Sequence, residues 1–187
     1  MKRGIRKISD GVFAAEGSVV RLGTRQISFL KHQAVLSARK RARICTHRSN
    51  ADTVHEMLIA ISAESYIHPH LHPGKAESFH IVEGSVDVVV FDEAGNIIDV
   101  VELGDLSTGR NFYYRISENL FHTILIHTDF LVVHEVTSGP FRANETIQAS
   151  FAPPESAVDD ACAYIEGVKQ LVAARNYGRG KKSNTLP

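Results

Sequence analysis

The sequence predicts an all-β barrel or sandwich flanked by one helix on each side. Three observations carry this. From Ile44 to Pro140 short apolar runs alternate with turn residues, giving seven or eight candidate strands. No helical crossover interrupts that stretch, which argues against a parallel sheet. Apolar residues at helical spacing lie before and after it.

The elements follow in order. Residues 1–25 read as short strands and turns, with weak alternation from Gly17 to Leu22. From Gln26 to about Ala38, residues Ile27, Leu30, Ala34 and Ala38 recur at helical spacing. The basic run Arg39 to Arg43 reads as the end of that helix, where cations face the negative end of its dipole. Val54–Ile61 and Tyr66–His72 read as strands, as do Phe79–Gly84 and Ser85–Phe91. Asp92–Asn96 is a hairpin turn, and Ile97–Leu103 returns from it. Phe112–Ile116, His122–His127 and Phe130–Thr137 complete the set. From Glu155 to about Ala174, Val158, Ala161, Cys162, Ile165, Val168 and Val172 share a helical face. This divides the chain into N-terminal strands and helix (1–43), a barrel (44–140), a C-terminal loop and helix (141–175) and a disordered tail (176–187).

Composition narrows the function. The 187 residues suffice for one domain with a real core. Lys+Arg and Asp+Glu both number 21, so the formal charge is zero. That argues against a nucleic-acid or membrane-surface protein. Arg39–Arg43 also lacks the aromatic interleaving of a nucleic-acid patch. No apolar stretch of about 18 residues exists to span a membrane. Nothing resembles a signal peptide, and Cys45 and Cys162 are far apart in sequence, so a reducing cytoplasm is expected.

Ten histidines are present, and six lie between His47 and His80. Along a strand, His68, His70 and His72 point the same way. Pro73-Gly74 reverses the chain, and Glu77, Phe79 and Ile81 then share one face. If that face is the barrel interior, His70, His72 and Glu77 converge. Two imidazoles and a carboxylate form a facial set with open metal positions. His122, which opens an apolar run after a polar turn, is the best fourth ligand.

These residues resemble the cupin family. His70-x-His72-x4-Glu77-x6-Gly84 matches the first cupin motif in its internal spacings, with Glu64 where a glycine usually precedes. Ser117, Asn119 and His122 stand where the second motif has Pro, Gly and His. Asn119 could serve that turn at positive φ. More narrowly, the chain resembles WbuC-type cupins, a group associated with bacterial surface-polysaccharide gene clusters. The features are Arg39–Arg43, His55-Glu-Met57, Tyr66–Gly84, Phe112-Tyr-Tyr-Arg115, Glu135–Phe141 and Ala152-Pro-Pro154. The resemblance implies a cupin (double-stranded β-helix, or jelly-roll) barrel and one divalent metal ion on His70, His72, Glu77 and His122.

The ligand set suits Fe, Mn, Ni, Zn or Cu. The first functional reading is a metal-dependent enzyme acting on a small oxygen-rich molecule, a sugar or sugar derivative by family context. Its reaction would be an isomerisation or epimerisation in which the metal stabilises an oxyanion. His68, His55, Tyr113 and Glu135 are the candidates for moving the proton. His68 either reaches the open metal positions or sits in water at the mouth. His55 reads as a satisfied core or pocket residue, with a ligand role as the alternative. His80 has the opposite parity and suits a structural or interface role. Arg43, Lys75, Tyr114 and Arg115 are candidates for binding an anionic or hydroxyl-rich substrate. Glu135, on an apolar strand, needs a partner such as Arg43, Lys75 or a substrate hydroxyl. The alternatives are an iron-dependent, dioxygenase-like oxidation and a non-enzymatic metal-containing binding protein. Unpaired sheet edges suggest a homodimer.

Overall fold

The computed structural model describes residues 4–140, 142 and 145–180. Twelve strands and two helices occur among them. The strands are β1 (Ile5–Ser9), β2 (Val12–Ala15), β3 (Arg41–Cys45), β4 (Val54–Ser62), β5 (His70–Leu71), β6 (Glu77–Glu83), β7 (Ser85–Phe91), β8 (Ile97–Gly104), β9 (Tyr113–Ile116), β10 (Phe121–Ile126), β11 (Phe130–Ser138) and β12 (Ile147–Gln148). The helices are α1 (Thr24–Leu36) and α2 (Val158–Gly180). One sheet has the order β1-β2-β3-β4-β11-β6-β9, and the other β12-β5-β10-β7-β8. Every pairing between named strands is antiparallel except β2 with β3. The two sheets face each other as a cupin-type jelly-roll barrel.

Alternation along the strands builds three apolar layers. Met57, Ile59 and Ile61 of β4, Val86 and Val88 of β7, and Leu131 and Val133 of β11 fill the space between the sheets. Leu58, Ala60 and Val132 point the other way and meet Leu30 and Ala34 of α1. Val89, Phe91, Val100 and Leu125 cover the outside of the second sheet and meet Val168 and Val172 of α2. Each helix therefore caps the outer face of one sheet. This explains why β7 reads as a continuous run of valines rather than an alternating strand.

The basic run after α1 is not a helix end. The helix stops at Leu36, and Lys40 takes a left-handed turn at φ 56°. Arg41 then starts β3, because Ala42 and Ile44 are buried on alternate positions, a period of two. Arg39 and Arg41 both reach Glu155, with N–O distances of 2.8 and 2.9 Å, and tie the end of the barrel to the loop before α2. The weak alternation from Gly17 to Leu22 forms no strand, and only His70 and Leu71 of the Tyr66–His72 run pair in a sheet. Helix α2 begins at Val158 and continues past Ala174 to Gly180. The rest of the expected tail, 181–187, lies outside the described residues.

Gly84 joins β6 to β7 at φ 93°. A Cβ there would sit 2.5 Å from the Phe130 carbonyl oxygen and 2.5 Å from Thr128 Oγ1. Gly84→Ala is therefore expected to destabilise the protein by more than about 1 kcal/mol. A lowered urea midpoint with an unchanged m-value is the expected result.

Candidate metal centre

Both sheets supply donors to one point. His70 on β5 lies directly opposite His122 on β10 in the second sheet. His72 follows β5, and Glu77 opens β6 in the first sheet after the Pro73-Gly74 turn. Their ligand atoms all lie within 4.8 Å of one another. Glu77 Oε2 is 3.3 Å from His72 Nε2, and Glu77 Oε1 is 3.5 Å from His122 Nε2. Glu77 is 6% exposed and His122 3%.

The residues fit a metal ion for a reason beyond proximity. Each imidazole has its Nδ1 engaged away from the centre. His70 Nδ1 is 2.8 Å from the His68 carbonyl oxygen, and His122 Nδ1 is 3.0 Å from that of Leu120. His72 Nδ1 lies 3.3 Å from Thr146 Oγ1. Carbonyl acceptors hold the Nδ1–H tautomer, which leaves the Nε2 lone pair free for a cation. His122 Nε2 is buried with no hydrogen-bond partner, an orphan that a metal would satisfy. The Tyr114 hydroxyl donates to Glu77 Oε1 at 3.0 Å and orients the carboxylate.

The electrostatics agree. Burial, followed by repulsion from His122, pushes His70 down to about 4, so its imidazole is neutral at physiological pH. Burial alone would raise Glu77, but attraction to the His122 and His72 imidazoles holds it well below the usual carboxylate range. Glu77 and His70 are thus in the protonation states a cation needs, whereas, against the effect of burial, Glu77 raises His122, whose proton a bound cation would displace. Glu135 differs. Burial, then repulsion from Glu77, raises it from 4.5 to about 8, with Arg43 pulling in the opposite direction.

The other candidate residues separate into inner and outer sets. Glu135 pairs with Met57 and Phe79 across β11 and shares their inward parity. His55 lies on the inner face of β4, is 3% exposed and stacks on His47 at 4.0 Å between ring centroids. Arg43 shares the inner face of β3 with Cys45, since Ala42 and Ile44 pack outward. Tyr114 is buried at the centre, whereas Tyr113, 49% exposed, points outward and does not reach it. Tyr114 shares the inward face of its cross-strand partner Phe79, a pairing for which the sequence carried no signal. Arg115 is also outward, with Nε donating to Ser117 at 2.9 Å. Lys75 is occupied: its Nζ is 2.8 Å from the Pro140 carbonyl oxygen and 2.7 Å from Glu145.

His68 is outside the donor group. Its strand breaks before residue 70, and its Nε2 lies 2.9 Å from the Ala149 carbonyl oxygen. His80 is exposed on the outer face against Phe112, as its parity implied. Asn119 does not adopt positive φ. Instead its Oδ1 accepts from the Gly74 N–H at 3.0 Å and ties the turn before His122 to the turn after His72. Thr146 had no sequence signal, because it reaches His72 from a separate segment. Two surface clefts, of about 490 and 270 Å³, lie along α2 and away from these donors.

Comparison with known proteins adds the following. Residues 22–103 match the family model described as Domain of unknown function (DUF6016). No curated protein matches the chain. Among solved structures, protein SO0799 from Shewanella oneidensis is 14% identical, with a TM-score of 0.48, over 64% of this chain and 78% of that one. Oxalate decarboxylase from Lactobacillus farciminis, solved with formate, is 20% identical, with a TM-score of 0.42, over 58% of this chain and 31% of that one. The Cnp3 cupin domain of Schizosaccharomyces pombe is 9% identical, with a TM-score of 0.41, over 53% of this chain and 64% of that one. Among the described residues no helix is long and apolar enough to cross a membrane.

Two outcomes test the centre. Protein purified without chelator is expected to carry about one divalent ion per chain, and His70→Ala to lose most of it, by elemental analysis. Equal metal in both would remove the assignment. The second concerns pH. Glu135 has a folded value near 8 against 4.5, so the folded chain holds a proton that the unfolded chain releases. Its contribution is full below about pH 4.5 and is lost as pH rises through about 8. Metal-free protein should therefore lose stability over that window in urea titrations, and Glu135→Gln should flatten the slope.

Proposed function

We propose that this chain is a metal-dependent cupin enzyme that moves a proton next to a carbonyl of a small oxygen-rich molecule, a sugar or sugar derivative. The observation that carries this is one buried, oriented His/His/Glu/His set beside a carboxyl group tuned toward neutral pH. When bound, a divalent ion supplies a Lewis acid that polarises a substrate oxygen. The remaining work falls to the protein. Glu135 Oε takes a proton from the carbon beside the carbonyl and returns it to the neighbouring carbon, or to the opposite face of the same one. With Glu77 neutralised by a cation, Glu135 loses part of the repulsion that raises it and moves toward neutral pH. A carboxyl in that range both accepts and donates a proton. The Tyr114 hydroxyl holds Glu77 in place, and the apolar wall of Met57, Phe79 and Ile81 limits water.

The sugar preference follows the resemblance to WbuC-type cupins. A cytoplasmic homodimer belongs to the same reading: Cys45 and Cys162 are unpaired, and β1, β9, β12 and β8 are sheet edges.

The test is proton exchange from D2O into candidate aldoses and ketoses, followed by NMR. Metal-loaded wild type should incorporate deuterium beside the carbonyl. Glu135→Gln should keep its metal and slow exchange by about 10²–10⁴-fold. Oxygen consumption with Fe(II) and no exchange would assign an oxidation instead. A metal-dependent rise in melting temperature with neither reaction would leave a binding protein.

A further inference from the structure

We propose that Arg43 and His55 form a carboxylate-binding subsite on the inner wall of the barrel, so that the molecule handled at the metal centre is an acid. This deepens the preceding reading and rests on it for the sugar class.

Strand register gives the layout. His55 on β4 is opposite Thr137 on β11, and Thr137 is opposite Glu77 on β6. Neighbouring strands are about 4.8 Å apart, so His55 and Glu77 backbones stand roughly 10 Å apart across one inward-facing row. The next row runs Cys45, Met57, Glu135, Phe79 and Tyr114. Arg43, opposite Ile59, stands one row further in, so a small molecule with its oxygens at the metal would meet His55 and then Arg43 along this wall.

The two residues are short of partners. Arg43 Nε is buried with no hydrogen-bond partner, and among the described residues no carboxylate lies within 4.0 Å of the guanidinium. Its polar neighbours are the Cys45 thiol and, further off, the Glu135 carboxyl. His55 Nε2 is likewise buried and unpartnered. His47 stacks on His55 and feels the charge of both His55 and Arg43, which puts all three in one neighbourhood. By contrast, Arg41 pairs with Glu155 and Lys75 with Glu145, and Arg115 donates to Ser117.

A partly buried guanidinium with no close ion pair is costly to keep, and a ligand carboxylate would offset that cost. The planar fork matches a carboxylate with two parallel hydrogen bonds. Glu77, on the same row as His55, is held ionised, which disfavours a dianion and favours a carboxylate over a phosphate.

Calorimetric titration and thermal melts with D-glucuronate, D-glucose and inorganic phosphate test this. They are run on metal-loaded and chelator-stripped wild type, Arg43→Gln and Arg43→Lys. Glucuronate should bind the loaded wild type about tenfold or more tighter than glucose, and should still stabilise the stripped protein. Arg43→Gln should erase that margin while keeping full metal content. Arg43→Lys keeps the positive charge and covers the case in which the glutamine variant fails to fold; it should lose most of the margin through the missing fork. Equal binding of glucuronate and glucose, a margin unchanged in Arg43→Lys, or a preference for phosphate would overturn the subsite. A wild type that carries no metal yet is stabilised by glucuronate through Arg43 would sustain the subsite and refute the metal reading.

Discussion

The convergence of donors from two sheets is the constraint on which the rest depends. His70 and His122 face each other across one ladder, but Glu77 belongs to the opposite sheet and reaches them only because the barrel closes. The Pro73-Gly74 turn carries the chain from one sheet to the other within five residues of His72. Any shift of β6 by one residue would turn Glu77 outward and leave three imidazoles without their carboxylate.

Closure also sets the electrostatics. Three imidazoles and a carboxylate packed among aliphatic side chains have little water to solvate them. Hydrogen bonds donated to carbonyl oxygens by the imidazoles, and to Glu77 by Tyr114, take over that role and orient each group. The same scarcity of solvent separates two glutamates on neighbouring strands. Glu77, beside imidazoles, is held ionised, whereas Glu135, with only Arg43 at a distance, is pushed toward its neutral form.

The helices serve the site indirectly. Each buries the outer face of one sheet, so the strands can be apolar on that side and still keep polar groups within. Arg39 and Arg41 anchor the loop before α2 through Glu155, which fixes the segment bearing Ala149, the acceptor that holds His68 away from the centre. A basic run that reads as a helix end in sequence is thus mainly a brace.

Much of the barrel was legible in the chain because side-chain alternation is a local property. Turn residues marked the strand ends, and the spacing of His70, His72 and Glu77 implied a shared face before any strand was placed. His122 was reachable by its position after a polar turn. Other features were not local. Arg43 looked like a helix end because cations suit one, and only the burial of Ala42 and Ile44 beneath α1 makes it a strand residue facing inward. His68 had the right parity, but parity holds only while a strand lasts, and this one begins at His70. Tyr113 and Tyr114 differ by one position, and which of them points inward depends on the register of β9 against β6. The sequence by itself determined the strand pattern and the identity of the donors, since both are written in residue type and short spacing. The tertiary structure alone decided which groups meet and which lack a partner, because those depend on long-range pairing and on how much water closure leaves inside.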